Sequence, residues 1–205
     1  MYLNAILPPK ARILDFGCGS ANNSIPFMKD GHVTHGIDVS ESIIPLVKQN
    51  LEFHGLSAEL VRNYIFAEPP LVTLPYEDDS FDFVLSNQVH YYSTSESELH
   101  TVNRELHRVM KPGAVIFATM MGPKNYYITR HLDSISPDGS VYHVRIKEPE
   151  HRLFGVAEDV LLTRDEDHLR SQFAEFEPVT VGHFSQSMFD MTSNFHYIFV
   201  GRKMA

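Results

Sequence analysis

Short apolar runs alternate with amphipathic segments along most of the chain. The apolar runs predict strands over residues 11–16, 32–38, 58–64, 81–87, 114–120, 179–184 and 195–200. Between several of these runs, apolar residues recur at the spacing of one helix face, as in Ile43, Val47 and Leu51. Strands that alternate with helices are typical of βαβ units, so the pattern predicts an α/β fold with a mostly parallel sheet.

One helix start is predicted in more detail. Ser95 and Glu98 have the spacing of a capping box, in which each side chain accepts a hydrogen bond from the other residue's backbone N–H. Beyond this box, Leu99, Val102 and Leu106 have the spacing of one apolar helix face. The sequence therefore predicts an amphipathic helix that begins at this capping box.

Residues 122–162 interrupt the alternation of strands and helices. They contain a predicted strand over 141–147, with Tyr142, Val144 and Ile146 on one face. A connection of this length without structure of its own is uncommon in a compact domain, and long connections are often functional. We expect a lid or substrate-binding insertion, and a surface decoration without function is the alternative.

Length and composition limit the classes of protein. The 205 residues suffice for a single domain over 1–205, and 43% hydrophobic residues can form a core. Asp and Glu number 26 against 17 Lys and Arg, and the resulting net charge of −9 argues against nucleic-acid binding. No apolar run approaches the roughly 20 residues of a membrane-spanning helix. With one cysteine and no signal-peptide pattern, we expect a cytoplasmic protein without a nucleic-acid or membrane partner.

The first predicted strand ends in a glycine-containing turn. Gly17 and Gly19 allow a sharp turn into the next helix and let a ligand lie against bare backbone. A dinucleotide site would need a third glycine where Asn22 stands, and Asp15 would place a carboxylate close to a pyrophosphate. The turn therefore disfavours a nicotinamide-dependent oxidoreductase and favours a cationic, amino-acid-like ligand.

A second carboxylate, Asp38, ends the second predicted strand, 21 residues after Gly17. At this place in a βαβ unit, a carboxylate can accept hydrogen bonds from both hydroxyls of a ribose. Asp15, the glycine turn and Asp38 together indicate a nucleoside that carries a positive charge and no phosphates. S-adenosylmethionine (SAM) is the common cofactor of this description.

Four segments follow one another in order along the first half of the chain. They read ILDFGCGSA (13–21), GIDVS (36–40), LPYEDDSFDFV (74–84) and RELHRVMKPG (104–113). Together they resemble the class I SAM-dependent methyltransferases, particularly the type 11 group. The resemblance implies a doubly wound, Rossmann-like sheet of seven strands in the order 3-2-1-4-5-7-6. Such a sheet is mostly parallel with strand 7 antiparallel, and here it would carry an insertion after strand 5.

The resemblance also assigns roles to single residues. The residues implied to bind the cofactor are Asp15, Gly17 and Gly19 at the methionine part, Asp38 at the ribose, Val39 at the adenine, and Asn87 and Gln88 beside the methyl group. Ala21 stands where the family commonly has a third glycine, and we expect this change to be tolerated. The usual acidic partner of the adenine amino group is missing after strand three, and Asn63 is the expected substitute.

The implied reaction is methyl transfer to a small-molecule acceptor by in-line displacement, for which the cofactor supplies the reactivity. His90 is the candidate general base, and a packing or substrate-contact role without proton transfer is the alternative. The histidine spacing predicts no metal site. Residues 122–162 or a partner subunit are expected to cover the cofactor, and homodimer formation stays open. The alternative function is a cofactor-binding subunit that is non-catalytic or depends on a partner.

Overall fold

Seven strands form the central sheet of the protein. The computed structural model describes residues 7–151, 153–188 and 192–204, and within them the chain forms ten strands and five α-helices. The strands are β1 (Arg12–Phe16), β2 (Val33–Asp38), β3 (Tyr64–Phe66), β4 (Phe81–Ser86), β5 (Met110–Met121), β6 (Leu132–Ile135), β7 (Val141–Arg145), β8 (Ala157–Leu161), β9 (Glu177–Met188) and β10 (Thr192–Arg202). The helices are α1 (Ser24–Lys29), α2 (Ile43–Phe53), α3 (Glu96–Val109), α4 (Tyr126–His131) and α5 (Glu166–Gln172). None of the helices in this part of the chain has the length and apolar character that a membrane span needs.

The large sheet has the strand order β3-β2-β1-β4-β5-β10-β9. β10 runs antiparallel to both of its neighbours, whereas the pairs among β1 to β5 are parallel. Because β9 and β10 are the sixth and seventh strands of this sheet along the chain, the arrangement is the predicted order 3-2-1-4-5-7-6. The structure therefore confirms the predicted doubly wound fold.

The central strands carry apolar side chains on both faces, as strands of a parallel sheet do when helices cover both sides. Leu14 of β1 belongs to the buried cluster that contains Val84 of β4 and Leu106 of α3. Ile13 points to the opposite face and belongs to a second cluster with Phe27 of α1. The core thus lies on both faces of the sheet, and the ends of the strands remain available for a binding site.

The helix after Ser95 begins where the sequence predicts it, but its cap differs. The Ser95 hydroxyl accepts from the backbone N–H of Glu98 at 3.1 Å, as a capping box requires. The Glu98 carboxylate instead accepts from the backbone N–H of Thr94 at 3.0 Å and from the Thr94 hydroxyl. The predicted reciprocal bond to Ser95 is therefore wrong, because the carboxylate reaches one residue further back.

The strand predicted over residues 58–64 is also wrong in its position. Ala58–Asn63 forms a 3₁₀ helix, which starts where the Ser57 hydroxyl accepts from the backbone N–H of Glu59. Only the short strand β3 follows this helix. Tyr64 pairs with Gly36 and Phe66 with Asp38, so the carboxyl end of β3 lies after Phe66. A residue that contacts a ligand at the carboxyl end of β3 must therefore come after Phe66 in the sequence.

Residues 122–162 carry α4 and a three-stranded antiparallel sheet in the order β6-β7-β8. The strand predicted over 141–147 is present as β7, which ends two residues earlier. Val144 of β7 and Val160 of β8 are buried in the same cluster as the core side chains of the large sheet. The insertion therefore packs directly on the domain from which it emerges.

Gly36 of β2 allows the loop after β1 to pack against β3. A Cβ at Gly36 would lie 2.7 Å from the Cys18 sulfur and would overlap the Tyr64 ring. We expect Gly36→Ala to lower the free energy of unfolding by about 1–3 kcal/mol, because overpacking of a filled core forces shifts of this cost. Urea unfolding of the variant and the wild type measures the difference.

The matched control is Gly182→Ala on β9, where an added Cβ would meet nothing within 4 Å. This control should keep the wild-type stability or gain slightly, because alanine reduces the freedom of the unfolded chain. Equal stabilities of Gly36→Ala and Gly182→Ala would contradict the packing described here.

Candidate active site

A cavity of about 500 Å³ opens at the carboxyl ends of β1, β2 and β4. In a doubly wound sheet, ligands usually bind where the strand order reverses. Here the order reverses at β1, because the chain continues to β2 on one side of it and later to β4 on the other. The sequence-predicted residues that line it are Gly17, Asp38, Val39, Asn87, Gln88 and His90. The fold therefore brings most of the predicted site residues to one crevice.

The turn after β1 keeps bare backbone against this cavity. Gly17 has a φ of +71°, and a Cβ at this position would overlap the side chain of Val89. The Gly17 N–H donates to the Ile37 carbonyl at 2.8 Å, which fixes the turn to the end of β2. Ala21 adopts a left-handed φ of 63° in the same turn, at a cost of about 1–2 kcal/mol for an L-residue.

Asp38 connects the two loops that border the cavity. Its Oδ2 accepts from the Gly19 N–H at 2.8 Å, and its Oδ1 accepts from the Ser40 N–H at 2.9 Å. Each carboxylate oxygen has two lone pairs, so each keeps one acceptor position after these bonds. The carboxylate can therefore organise the loops and still accept from the two hydroxyls of a ribose.

Asp15 lies beneath the cavity rather than in its wall. Its side chain is buried, and its Oδ2 accepts from the Ser24 hydroxyl at 2.7 Å. Its Oδ1 is a buried atom without a hydrogen-bond partner in the structure. Burial raises the pKa of Asp15 to about 7. An unpaired carboxyl oxygen under the glycine turn suits a ligand that brings a positive charge.

The turn after β4 is held by a residue that the sequence did not reveal. The Gln88 N–H donates to the Thr119 hydroxyl at 2.7 Å, and that hydroxyl donates to Asn87 Oδ1 at 3.2 Å. Thr119 is fully buried in β5, and Gln88 has a φ of 62°. A buried threonine in an apolar strand gives no pattern from which this role can be read.

Asn63 lies away from the cavity, so the expected adenine contact is corrected. Its Nδ2 donates to the Thr34 carbonyl at 3.2 Å, close to the amino end of β2. The cavity lies at the opposite end of that strand, where Val39 lines it. Pro69, Pro70 and Leu71 complete this wall after β3. These residues were not predicted from the sequence, because the third strand was predicted too early in the chain.

His90 belongs to a closed hydrogen-bond network. Its Nδ1 is 2.6 Å from the Ser86 hydroxyl, and its Nε2 is 3.0 Å from Asn103 Oδ1. Since an amide oxygen only accepts, Nε2 carries the proton and Nδ1 accepts from Ser86. Burial lowers the pKa of His90 to about 4. With both ring nitrogens occupied, the geometry favours the packing alternative over the expected role as a general base.

The buried state of His90 makes stability depend on pH. The unfolded imidazole binds a proton near pH 6.5 and the folded one only near pH 4, so stability is present above this window and is lost as the pH falls through it. We expect His90→Gln, which cannot titrate, to reduce the decline in unfolding free energy between pH 7 and pH 5 by about 1–2 kcal/mol. Urea unfolding at the two pH values measures this decline, and equal declines in variant and wild type would contradict the buried neutral state.

The fold and the cavity define a doubly wound α/β domain with a ligand-sized crevice at the carboxyl ends of its strands. Residues 14–118 match the type 11 family described as Methyltransferase domain, and the chain belongs to this family. The cofactor of this family of domains is SAM, as the glycine turn and Asp38 predict. The unpaired Asp15 oxygen and the acceptor positions left on Asp38 fit this cofactor.

Individual relatives support the same assignment. The chain is 30% identical over 131 residues to a demethylmenaquinone methyltransferase of Bacillus mycoides, a match that covers 58% of this chain and 51% of that one. It is 32% identical over 110 residues to a malonyl-[acyl-carrier protein] O-methyltransferase of Erwinia pyrifoliae, covering 53% and 37% of the two chains. The chain thus spans about half or less of the length of these relatives. A solved SAM-dependent methyltransferase of Methanosarcina mazei, 21% identical, covers 99% of this chain and 97% of its own at a TM-score of 0.76 and shares the fold.

Proposed function

We propose that this protein transfers the methyl group of SAM to a small-molecule acceptor by in-line displacement. The observation that carries the proposal is the Asp38 carboxylate, which lines the cavity beside the bare Gly17 backbone. The relatives named above support methyl transfer, but their acceptors differ chemically. The acceptor of this chain must therefore be inferred from its own residues.

In this proposal each wall of the cavity binds one part of the cofactor. The second acceptor positions of Asp38 take the ribose hydroxyls, and Val39 with Pro69 to Leu71 provides apolar surface for the adenine. The glycine turn takes the methionine part, with the buried Asp15 below it. Asn87 and Gln88 lie on the β4 side of the cavity, which is the side of the methyl group.

The charges around the cavity fit a cation and oppose a pyrophosphate. Asp38 and Glu98 line it, and none of the described lining residues is Lys or Arg. Two phosphate charges would therefore be placed close to carboxylates without a basic partner. This distribution supports the sulfonium cofactor over a nicotinamide dinucleotide.

When bound, SAM supplies an electrophilic methyl group on a sulfonium, and the chemistry is that of the cofactor. The protein binds and orients the two reactants and excludes water. Proximity and orientation alone lower the barrier to methyl transfer substantially. Since His90 has no free ring nitrogen in this structure, the proposal assigns it the positioning of the turn that carries Asn87 and Gln88. His90 then supplies no base for the nucleophile of the acceptor.

Residues 122–162 provide the acceptor side of the site in this proposal. Tyr92, in the turn after β4, lines the cofactor cavity and also faces the insertion, where Glu158 of β8 lies. An acceptor that enters between Tyr92 and β8 would reach the β4 side of the cavity. The insertion would then cover the reacting groups, which is the lid role expected from the sequence.

Cofactor binding tests the role of Asp38. In Asp38→Asn, the side chain loses its negative charge. Its NH₂ group would also face the N–H of Gly19 or of Ser40, and two donors cannot form a hydrogen bond with each other. We expect the affinity for S-adenosylhomocysteine to fall about 10–100-fold, since hydrogen bonds to a charged group contribute about 1.5–3 kcal/mol each. Isothermal titration calorimetry measures the dissociation constant.

The matched control is Glu41→Gln, which makes the same change of charge at an exposed residue that follows the same end of β2 and does not line the cavity. Its affinity for S-adenosylhomocysteine should equal that of the wild type. Unchanged affinity in Asp38→Asn, with both variants folded by circular dichroism, would contradict the proposed ribose contact. Tight binding without methyl transfer to any acceptor would favour the alternative of a partner-dependent subunit.

A further inference from the structure

A small apolar cavity of about 100 Å³ lies between the insertion and the body of the domain. Val144 of β7 and Val160 of β8 line it from the insertion, and Met121 of β5 lines it from the large sheet. A dry apolar cavity of about 150 Å³ holds a benzene molecule, so this smaller and partly open cavity suits about one ring. The insertion thus provides an apolar end for a ligand.

Apolar side chains continue from this cavity to the surface of the insertion. Leu153 and Val156 line the cavity and are 36% and 38% exposed. Glu158 is the one charged side chain among the described residues that line it, and it is exposed, so it stays hydrated at the mouth. Exposed apolar side chains grouped around a cavity are typical of a ligand entrance.

The apolar cavity connects to the cofactor cavity through Tyr92. The Tyr92 side chain lines the apolar cavity, the cofactor cavity and an open cleft of about 630 Å³ between them. Val39 of the adenine wall borders the same cleft. A ligand whose apolar end lies in the insertion can therefore extend along Tyr92 to the cofactor.

The charges along this route limit the nucleophile of the acceptor. Asp38 and Glu98 line the cofactor cavity, and none of the described residues that line the two cavities and the cleft is Lys or Arg. A carboxylate or a thiolate would lie close to like charges here without a basic partner, which costs free energy. The acceptor therefore presents an uncharged nucleophile.

The cofactor cavity also lacks a strong base among its described lining residues. Both ring nitrogens of His90 are occupied, and the ionised groups that remain are the carboxylates of Asp38 and Glu98. A phenol binds its proton about a millionfold more tightly than a carboxylic acid does, so a carboxylate removes few protons from a hydroxyl group. An acceptor that must lose a proton before it reacts is therefore disfavoured.

Alkyl amines and aromatic ring nitrogens differ in this respect. An alkyl amine is protonated at neutral pH and has no free lone pair. A ring nitrogen of the pyridine type is uncharged at neutral pH, keeps its lone pair and has no proton to lose. It also belongs to an aromatic ring, which the apolar cavity suits.

We propose that the apolar cavity of the insertion is the acceptor subsite, and that the acceptor is an uncharged aromatic heterocycle that is methylated at a ring nitrogen. The apolar side of the heterocycle occupies the cavity, and its nitrogen extends along Tyr92 to the β4 side of the cofactor cavity. This inference rests on the proposed function, because it needs the methyl group of SAM.

The transfer is balanced without a base. The lone pair of the ring nitrogen forms the new bond to the methyl carbon, while the bond from that carbon to sulfur breaks and its electron pair stays on sulfur. The products are S-adenosylhomocysteine and an N-methylated cation. The positive charge moves from sulfur to nitrogen, and the carboxylates around the cavity continue to stabilise it.

Three bicyclic probes of similar shape test the subsite by binding. Isoquinoline carries a ring nitrogen, 2-naphthol a hydroxyl group and 2-naphthoate a carboxylate. Titration of the ¹⁵N-labelled full chain, loaded with S-adenosylhomocysteine, gives the three dissociation constants. We expect the two uncharged probes to bind at least about tenfold more tightly than 2-naphthoate, because only the carboxylate is repelled. Equal affinities of all three would overturn the proposal.

Incubation with SAM tests the nucleophile. Mass spectrometry should detect N-methylisoquinolinium above the rate without protein, and the methyl ether of 2-naphthol should form at least about tenfold more slowly, because no base removes its proton. If 2-naphthol is methylated as fast as isoquinoline, or isoquinoline is not methylated, the assignment to a ring nitrogen is wrong.

A matched pair of variants locates the subsite. Val156→Asp places a carboxylate in the wall of the apolar cavity, and we expect it to weaken isoquinoline binding about tenfold, because the apolar contact is lost and the charge must be desolvated. Ile135→Asp makes the same change at an apolar residue that is 45% exposed on the insertion and does not line the cavity. It should bind isoquinoline as the wild type does, and equal affinities of the two variants would contradict the subsite.

The affinity for S-adenosylhomocysteine separates this inference from the proposed function. Both variants should keep the wild-type value, because neither residue lines the cofactor cavity. If S-adenosylhomocysteine binds and none of the bicyclic probes does, the acceptor subsite fails while the methyltransferase site stands. If S-adenosylhomocysteine does not bind, the proposed function itself fails.

Discussion

The bond between the Asp38 carboxylate and the Gly19 N–H is the contact on which the site depends. It joins the loop after β1 to the loop after β2, and the Ser40 N–H on the other oxygen completes the connection. Hydrogen bonds to an ionised acceptor are about twice as strong as neutral ones, so one side chain can hold the two loops together. The left-handed conformations of Gly17 and Ala21 persist because these contacts determine the turn.

A second, buried network determines the β4 side of the cavity. His90 connects Ser86 at the end of β4 to Asn103 of α3, and Asn103 Nδ2 donates to the Gln172 carbonyl of α5 at 2.7 Å. The Thr163 hydroxyl in turn donates to Gln172 Oε1 at 2.5 Å. Because these polar groups satisfy one another in a buried environment, they hold the turn in one position. A site that binds a flexible cofactor benefits from such fixed support.

The parts of the structure that local chemistry dictates could be predicted from the sequence. Gly17 and Gly19 mark a turn that needs unusual backbone angles, and Asp38 ends a strand of the expected βαβ unit. The strand order could be predicted because the type 11 resemblance determines the topology. Asn63 was misplaced because the short apolar pattern over residues 58–64 fits a 3₁₀ helix as well as a strand. The segment forms the 3₁₀ helix, and Asn63 is its last residue.

Other features depend on contacts between distant parts of the chain. The occupied ring nitrogens of His90 and the role of Thr119 arise only when α3 and β5 pack beside the turn after β4. The cavity between Tyr92 and β8 forms only when the insertion packs on the domain, and no periodic pattern in the insertion encodes this packing. Burial, which shifts the pKa of Asp15 upwards and that of His90 downwards, is likewise a property of the folded domain.

A crystal structure with bound S-adenosylhomocysteine would show whether Asp38 binds the ribose while it holds the two loops. We expect both ribose hydroxyls within hydrogen-bond distance of the two Asp38 oxygens, with the Gly19 N–H bond retained. An adenosyl group bound elsewhere, or an Asp38 carboxylate that leaves Gly19 and faces solvent, would contradict it.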